Sequence, residues 1–302
     1  MAGGRERELR RRIRSVRSTR KITKAMELIA ASQIARAQQR IAANRPYREG
    51  MQRLIVEAVK GDRAAAEKLL ALPERVERAV VLVIVGDRGL SGPYNSSVLR
   101  AGEHEVARLR AAGTDVELVA IGKKASGYFR FRGIPIAHSF QGISDKPTSA
   151  DARDVAALAA DGFVRGEAQQ VLLVSMRFVS AGRQYVETRQ LLPIPEPEGE
   201  DLQPTEPDGL EGYTEFEPDV EQLLAELAPA ALESEVFTAL LEGAASFHTS
   251  QQRAMAAATE NADELVRTLT RDVNRARQDS ITTEIMEIVG GAEALRQEKE
   301  HA

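Results

Sequence analysis

A glycine-rich segment at residues 86–92 (GDRGLSG) is the part of the chain best suited to phosphate chemistry. It directly follows an apolar run at residues 79–85, which is typical of a buried strand, and it precedes a predicted helix. A phosphate group can bind the free N–H groups at the start of such a helix. The glycine spacing matches neither GxGxxG nor GxxxxGK[ST], so we favour a tight strand-to-helix turn over a phosphate site.

The rarer residue types restrict the chemistry further. The chain has no cysteine, which excludes disulfides, thiolate metal sites and cysteine nucleophiles. Its four histidines lie far apart and lack metal-binding spacing, so we predict no metal site and no cofactor. No run of about 18 apolar residues occurs, and the sequence therefore predicts no direct membrane insertion.

Charge is distributed unevenly along the chain. Residues 5–24 carry ten Lys or Arg against two Glu, whereas residues 196–211 carry seven acidic residues and no basic one. The basic residues lie on all sides of the predicted helix, with no aromatic residues between them. This pattern fits a solvated helix face or a face that meets an acidic protein partner equally well. Docking on nucleic acid or on an anionic membrane is the weaker alternative.

A second candidate partner face lies near the C-terminus. Residues 274–285 (NRARQDSITTEI) carry more uncharged polar groups than a buried seam tolerates. Gln278, Thr282, Ile281 and Ile285 are spaced by three, four and seven residues, which places them on one side of a helix. The segment is either an exposed helix surface or a hydrogen-bonding face for another protein, and the spacing leaves both open.

Long helices at the two ends of the chain must position these residues. In both terminal segments apolar residues recur at steps of three and four, in narrow stripes typical of a coiled coil. The N-terminal stripe consists of Leu9, Ile13, Val16, Ile22, Met26, Ile29, Ile34 and Ile41. The C-terminal stripe consists of Leu265, Leu269, Val273, Ala276, Ile281, Ile285 and Ile288. Neither stripe can be buried alone, so residues 1–60 and 218–302 are predicted to form an antiparallel coiled-coil shaft, interrupted near Pro46 and Pro229.

The middle of the chain has the pattern of an α/β domain. Predicted strands at residues 79–85, 116–121, 171–174 and 185–194 are combined with predicted helices at residues 96–112 and 148–165. We therefore expect an α/β (Rossmann-like) central domain over residues 76–195, with a largely parallel sheet. Residues 196–217 are expected to form an acidic, proline-rich loop.

Three segments resemble the gamma subunits of F-type ATP synthases. Residues 13–32 (IRSVRSTRKITKAMELIAAS) resemble the N-terminal signature of that family, and residues 87–95 (DRGLSGPYN) resemble its central loop. Residues 258–262 (ATENA), 274–287 (NRARQDSITTEIME) and 290–295 (GGAEAL) resemble its C-terminal signature. The resemblance covers nearly the whole chain in order. It implies a non-catalytic, rotating central-stalk subunit that couples proton-driven rotation of a c-subunit ring to ATP synthesis.

The resemblance also implies partners and contact residues. The partners would be the alpha and beta subunits of the catalytic ring, the epsilon subunit and the c ring, on the cytoplasmic face of a bacterial plasma membrane. Residues matching the beta-subunit contact are Arg277, Gln278, Thr282 and Glu284. Residues matching the collar or bearing are Lys24, Met26 and Leu295. Residues matching the foot near the c ring are Phe216 and Glu217.

One departure from the family pattern concerns a second polar contact with the beta subunit. The family usually has Ser-Glu followed by Arg-Met, and these positions are Ser246-Phe247 and Gln251-Gln252 here. The arginine that can hold a carboxylate with two parallel hydrogen bonds is thus a neutral amide. Arg253 lies about 200° further around the helix and cannot replace it.

Overall fold

The computed structural model describes residues 2–61, 75–195 and 220–300, with side chains for residues 4–58, 75–195 and 227–292. It confirms the predicted fold class: an α/β domain formed by the middle of the chain and two long terminal helices that pack antiparallel. The chain divides into two compact units, Met1–Ile29 with Gln252–Ala302, and Ala30–Gln251.

The described chain contains five helices and five strands. The helices are α1 (Ala2–Gly61), α2 (Tyr94–Ala111), α3 (Lys123–Phe131), α4 (Ser149–Val164) and α5 (Val220–Glu300). The strands are β1 (Arg78–Ile84), β2 (Asp115–Ile121), β3 (His138–Phe140), β4 (Gln170–Phe178) and β5 (Gln184–Leu192). The sequence anticipated all of them except the short α3 and β3. Pro46 lies inside α1 and Pro229 inside α5, so neither proline divides its helix as we had expected.

The sheet has the order β3-β2-β1-β4-β5, with β1 at its centre. All neighbouring strands are parallel except β4 and β5, which are antiparallel. From Ala79 onward every residue of β1 is buried, because helices cover both faces of the sheet. This explains why its sequence is continuously apolar rather than alternating.

Each face of the sheet has its own core. On one face Leu82 and neighbouring strand residues pack with Val155 of α4 and with Leu232, Val236 and Leu240 of α5. On the other face α2, α3 and Phe247 of α5 pack against the alternate residues of the strands. Residues of α5, from the far end of the sequence, therefore complete the hydrophobic core on both faces of the sheet.

The seam of α1 differs from the predicted stripe. Its fully buried residues are Ile13, Thr23, Ala30, Ile34, Ala37, Met51, Ile55 and Ala58. All of them fit one repeat of alternating three- and four-residue steps, which is the heptad of a left-handed coiled coil. Ile22 and Ile29, which we had placed in the stripe, are 58% and 60% exposed. Each precedes a smaller seam residue by one position, and that step turns a side chain about 100° around the helix.

The seam of α5 agrees with the prediction only over its middle part. Leu269, Val273 and Ala276 are buried as expected. Leu265, Ile281, Ile285 and Ile288, which continue the predicted stripe, are exposed instead. The apolar residues beyond Ala276 keep the predicted spacing of three and four residues. They are exposed because no described helix covers that part of the stripe.

Candidate functional site

The unit formed by the chain ends is a pair of antiparallel helices. Ile13 of α1 packs with Leu269 and Val273 of α5, and Leu9, Val16 and Val266 lie partly buried around them. One turn further along α1, Arg20 pairs with Asp263 at 2.5 Å, and Thr23 then meets Thr259 at 2.8 Å. Advancing along α1 therefore means going backward along α5, which is the predicted antiparallel arrangement.

The polar face predicted near the C-terminus is available to a partner. Arg277, Gln278, Thr282 and Glu284 all have exposed side chains. None of these four side chains makes a hydrogen bond or an ion pair with another residue whose side chain the structure describes. Gln278 and Thr282 are one helical turn apart, so a single loop of another protein could contact both.

Exposed apolar residues surround that polar face. Ile281, Ile285, Met286, Ile288 and Val289 of α5 are between 49% and 72% exposed. A separate group of exposed apolar residues lies on α1, close to the level of Thr259, where Ile22, Leu28 and Ile29 are between 58% and 60% exposed. A concentration of exposed apolar side chains on a helix marks a surface that another protein covers. The sequence analysis placed Ile281 and Ile285 beside the polar face, but it also assigned most of these apolar residues to the seam between the two helices and so did not anticipate their exposure.

The other predicted contact residues are less distinctive. Lys24 is exposed and pairs with Glu27 on its own helix at 2.9 Å, and Met26 is half-buried. Leu295, Phe216 and Glu217 lie outside the residues whose side chains are described. The structure thus brings together the residues of the C-terminal face and leaves Lys24 and Met26 on a separate stretch of α1.

The loop that follows β1 is organised around the carboxylate of Asp87. Its oxygens accept hydrogen bonds from the backbone N–H groups of Lys123 at 2.8 Å, Gly142 at 3.0 Å and Ser144 at 3.3 Å. The Ser144 hydroxyl donates a further one at 2.6 Å. Partial burial by itself would raise the pKa of Asp87, but these hydrogen bonds outweigh it and lower the pKa below the usual value. Asp87 therefore holds the start of α3 and the loop after β3 together.

The same loop has the backbone geometry of a tight turn. Leu90 and Gly92 have φ angles of 63° and 53°. Asn95 accepts from the Gly86 N–H at 2.9 Å and donates to the Arg88 carbonyl at 3.0 Å. Ser250 of α5 donates to the Ser91 carbonyl at 2.8 Å. These contacts favour the turn interpretation of residues 86–92 over the phosphate interpretation, because the loop's own side chains occupy its polar groups.

Phe247, at the position where the family pattern has Glu, belongs to the core. It is 3% exposed and packs edge-to-face on Tyr94 at a centroid distance of 5.7 Å. A Cβ atom on Gly86 would lie 2.9 Å from the Phe247 ring, so glycine is required there for the close approach. Gln251 is half-buried and hydrogen-bonds His248. Phe247 and Gln251 thus make these contacts within the unit Ala30–Gln251.

A network of ion pairs, with Glu242 buried and its neighbours partly exposed, joins residues far apart in the sequence and could not be found from the sequence. Glu242 of α5 is buried and pairs with Arg177 of β4 at 3.0 Å. Glu235 of α5 pairs with Arg48 of α1 at 2.7 Å and with Arg189 of β5 at 3.0 Å. Burial raises the pKa of Glu242, and the nearby arginines oppose that effect. The network ties both long helices to the sheet within the unit Ala30–Gln251.

Two further searches of the described residues were negative. No group of three or more His, Asp or Glu side chains among them is arranged to hold a metal ion. Within those same residues, no helix combines the length and the apolar composition that crossing a membrane requires.

Comparison with known proteins gives a consistent picture. A family model described as ATP synthase matches residues 5–295. An ATP synthase gamma chain from a Parafrankia strain is 46% identical over 97% of this chain and 98% of its own length. The gamma chain of Acidothermus cellulolyticus is 44% identical with the same two coverages.

Solved structures share the fold at lower identity. A chain of the Euglena gracilis mitochondrial ATP synthase, in a structure of its OSCP, F1 and c ring, aligns with a TM-score of 0.66 and 17% identity. That alignment covers 98% of this chain and 96% of the other. A chain from the Tetrahymena thermophila mitochondrial ATP synthase central stalk and c ring aligns with a TM-score of 0.58 and 23% identity, covering 78% and 99%.

Proposed function

We propose a function from one premise: the chain belongs to the ATP synthase gamma chain family. In this proposal it is the central-stalk shaft of an F-type ATP synthase. It turns with a ring of c subunits and couples that proton-driven rotation to ATP synthesis by alternating alpha and beta subunits. The fold shared with chains of a central stalk with its c ring, and of an F1 with its c ring, supports the proposal.

The observation that carries the proposal is the exposed end of α5. Every described side chain from residue 281 to residue 292 is exposed, and five of them are large apolar residues. Burying an apolar side chain contributes about 25 cal/mol per Å² removed from water, so this helix end gains stability when a partner surrounds it. A ring of subunits would cover all sides of the helix at once.

The antiparallel pair also supplies the asymmetry that such a role needs. Two different helices that run in opposite directions have no three-fold symmetry. Inside a ring of three beta subunits, the pair would touch each one differently, so the three nucleotide sites would differ in affinity. Rotation of the pair then passes each state from one site to the next.

Specific contacts follow from this arrangement. Arg277, Gln278, Thr282 and Glu284 would contact a loop of the beta subunit, because they are exposed without partners among the described side chains. Lys24, Met26 and Leu295 would contribute to the collar or bearing. Phe216 and Glu217 would lie at the foot near the c ring, beside the epsilon subunit.

The proposal assigns no chemistry to the chain itself. It would be a non-catalytic subunit, since the loop at residues 86–92 uses its polar groups to hold a turn. The isolated chain should therefore neither hydrolyse ATP nor bind it in the micromolar range. As in a bacterial enzyme of this type, we place it on the cytoplasmic face of the plasma membrane. The matches give no support to the alternative of a basic helix that docks on nucleic acid or membrane.

The test compares two variants in the assembled complex. Gln278→Leu combined with Thr282→Val removes hydrogen-bonding groups from the exposed face and keeps its shape. Each hydrogen bond is worth about 0.5 to 1.5 kcal/mol, so two of them together contribute about 1 to 3 kcal/mol, and we expect ATP turnover per complex to fall by at least about fivefold. Gln251→Ala, on a half-buried residue that contacts His248, should change turnover much less.

Gel quantification of the gamma content makes the rates comparable between complexes. Equal damage from Gln251→Ala would show that the contact lies elsewhere on α5. If neither variant changes turnover, the C-terminal face is an ordinary solvated helix surface, and the proposed contact with the beta subunit is wrong.

A further inference from the structure

A cavity of about 220 Å³ lies within the unit Ala30–Gln251, between α1, α5 and the loop that joins β3 to α4. Its apolar walls include Ala37 of α1 and Leu241 and Ala244 of α5. Liquid water occupies about 30 Å³ per molecule, so the cavity has room for several water molecules or for a small ion together with water. Neither residues 86–92 nor the exposed residues 277–289 of α5 belong to its described lining.

Three cationic side chains line this cavity. Arg36 and Arg40 lie one turn apart on α1, and Lys146 comes from the loop. Arg40 donates to the Pro147 carbonyl, whereas Arg36 and Lys146 make no ion pair with any residue whose side chain is described. The one carboxylate in the lining, Asp145, already pairs with Arg88 at 2.7 Å. Cations therefore outnumber carboxylates around the cavity.

Two polar atoms of lining residues are buried and unsatisfied. Oδ1 of Asp145 and Nδ1 of His248 have no hydrogen-bond partner among the described residues, and His248 as a whole is only 8% exposed. Burial lowers the pKa of His248, against the opposing effects of the Asp145 carboxylate and of hydrogen bonds with Gln251 and the Asp145 backbone. An ionised carboxylate oxygen only accepts hydrogen bonds, so Asp145 requires a donor. Leaving a buried polar atom unpaired costs free energy, so these two atoms indicate that a ligand could bind beside them.

A ligand of this cavity would thus have to meet two requirements, one set by the cations and one set by Asp145. Arg36, Arg40 and Lys146 need an acceptor with negative charge, and Asp145 needs a donor. Sulfate satisfies only the first requirement at neutral pH, because it has lost both protons. Hydrogen phosphate satisfies both, because it carries negative charge and keeps an O–H group. We propose that this cavity is a binding site for hydrogen phosphate, selected over sulfate by the hydrogen bond that its hydroxyl donates to Asp145.

The first measurement is equilibrium dialysis of the purified full chain against radiolabelled inorganic phosphate at constant ionic strength. We expect one saturable site, with sulfate competing at least about tenfold more weakly, since a hydrogen bond to a charged group is strong. Arg36→Gln and Lys146→Gln should each weaken phosphate binding by about tenfold. Both side chains are exposed, so these variants should fold, and circular dichroism verifies that.

Two further variants make the test specific. Asp145→Asn supplies an amide that donates as well as accepts, so it should weaken phosphate, improve sulfate and remove the selectivity. Arg130→Gln removes an exposed arginine at the end of α3, away from the cavity, and should leave both affinities unchanged.

Three results would overturn the site: no saturable phosphate binding, equal binding of sulfate and phosphate by the natural sequence, or equal weakening by Arg130→Gln. None of these measurements involves ATP turnover, so failure of the phosphate site would leave the proposed stalk function untouched.

Discussion

Thr23 of α1 and Thr259 of α5 bring their hydroxyl oxygens to 2.8 Å from each other, and both side chains are buried. Each hydroxyl also lies close to a carbonyl of its own helix, Arg20 at 3.0 Å and Met255 at 2.8 Å. A hydroxyl has only one proton, so one threonine donates across the pair while the other donates within its helix. The two residues therefore satisfy each other as a unit and fix the register of the helices.

The first prediction concerns this pair. Thr23→Val and Thr259→Val should each lower the opening free energy of the helix pair by about 1 kcal/mol, because each leaves a buried hydroxyl without its partner. The double variant should cost less than the sum, since valine has nearly the shape of threonine. Native-state hydrogen exchange over residues 13–30 measures the effect. Thr19→Val, on an exposed residue, is the control, and strictly additive effects would contradict the coupling.

The second prediction concerns the buried charge pair. Glu242→Ala leaves the Arg177 guanidinium without its carboxylate inside the protein, so it should lower the free energy of unfolding by about 3 to 5 kcal/mol. Glu233→Ala removes the partner of Arg153, whose side chain is 67% exposed, and should cost less than about 1 kcal/mol. Urea denaturation followed by circular dichroism compares the two. Similar losses would mean that burial does not determine the energetics of these pairs.

The third prediction concerns the departure at Phe247. Phe247→Ala should destabilise the unit Ala30–Gln251 by about 3 to 5 kcal/mol, because it opens a cavity beside Gly86 and Tyr94. Phe247→Glu should cost more at neutral pH and recover at low pH, because burial opposes ionisation of the new carboxyl. Phe131→Ala changes a side chain that is 87% exposed and should have little effect. A stable Phe247→Glu variant at neutral pH would show that this position is not core.

The fourth prediction concerns Asp87. Its pKa in the folded protein is below the usual aspartate value of 3.8, so its contribution to stability is present above that pH and is lost as the pH falls through the folded pKa. Asp87→Asn should remove this part of the acid dependence. It should also lower the free energy of unfolding at pH 7 by about 1.5 to 3 kcal/mol for each charge-assisted hydrogen bond lost. Thermal unfolding between pH 3 and pH 7 tests both effects, with the exposed Asp115→Asn as control.

The fold was predictable where one local pattern dominates. The run at residues 79–85 specified a central strand because only a strand covered on both faces is continuously apolar. The short α3 and β3 were missed because nine and three residues carry too little periodicity to stand out. The seam of α1 was misassigned at Ile22 and Ile29 because the largest apolar residues were preferred over the heptad register, which Thr23 and Ala30 continue.

The candidate site was predictable only in part. Arg277, Gln278, Thr282 and Glu284 are exposed side chains, as a face that meets a partner requires, although their contacts remain a prediction. The Glu242–Arg177 pair and the lining of the phosphate cavity join residues far apart in the sequence, so neither could be found before the topology was known. The role of Phe247 depends on Gly86, which lies in a different element.

The distance in sequence between Thr23 and Thr259, 236 residues, has a consequence for synthesis on the ribosome. At about 5 to 20 residues per second, roughly 10 to 50 s separate the emergence of the two residues. During that interval the nascent α1 has no α5 to cover its seam. The part of the α1 seam that packs on Leu269 and Val273 is therefore covered only near the end of synthesis.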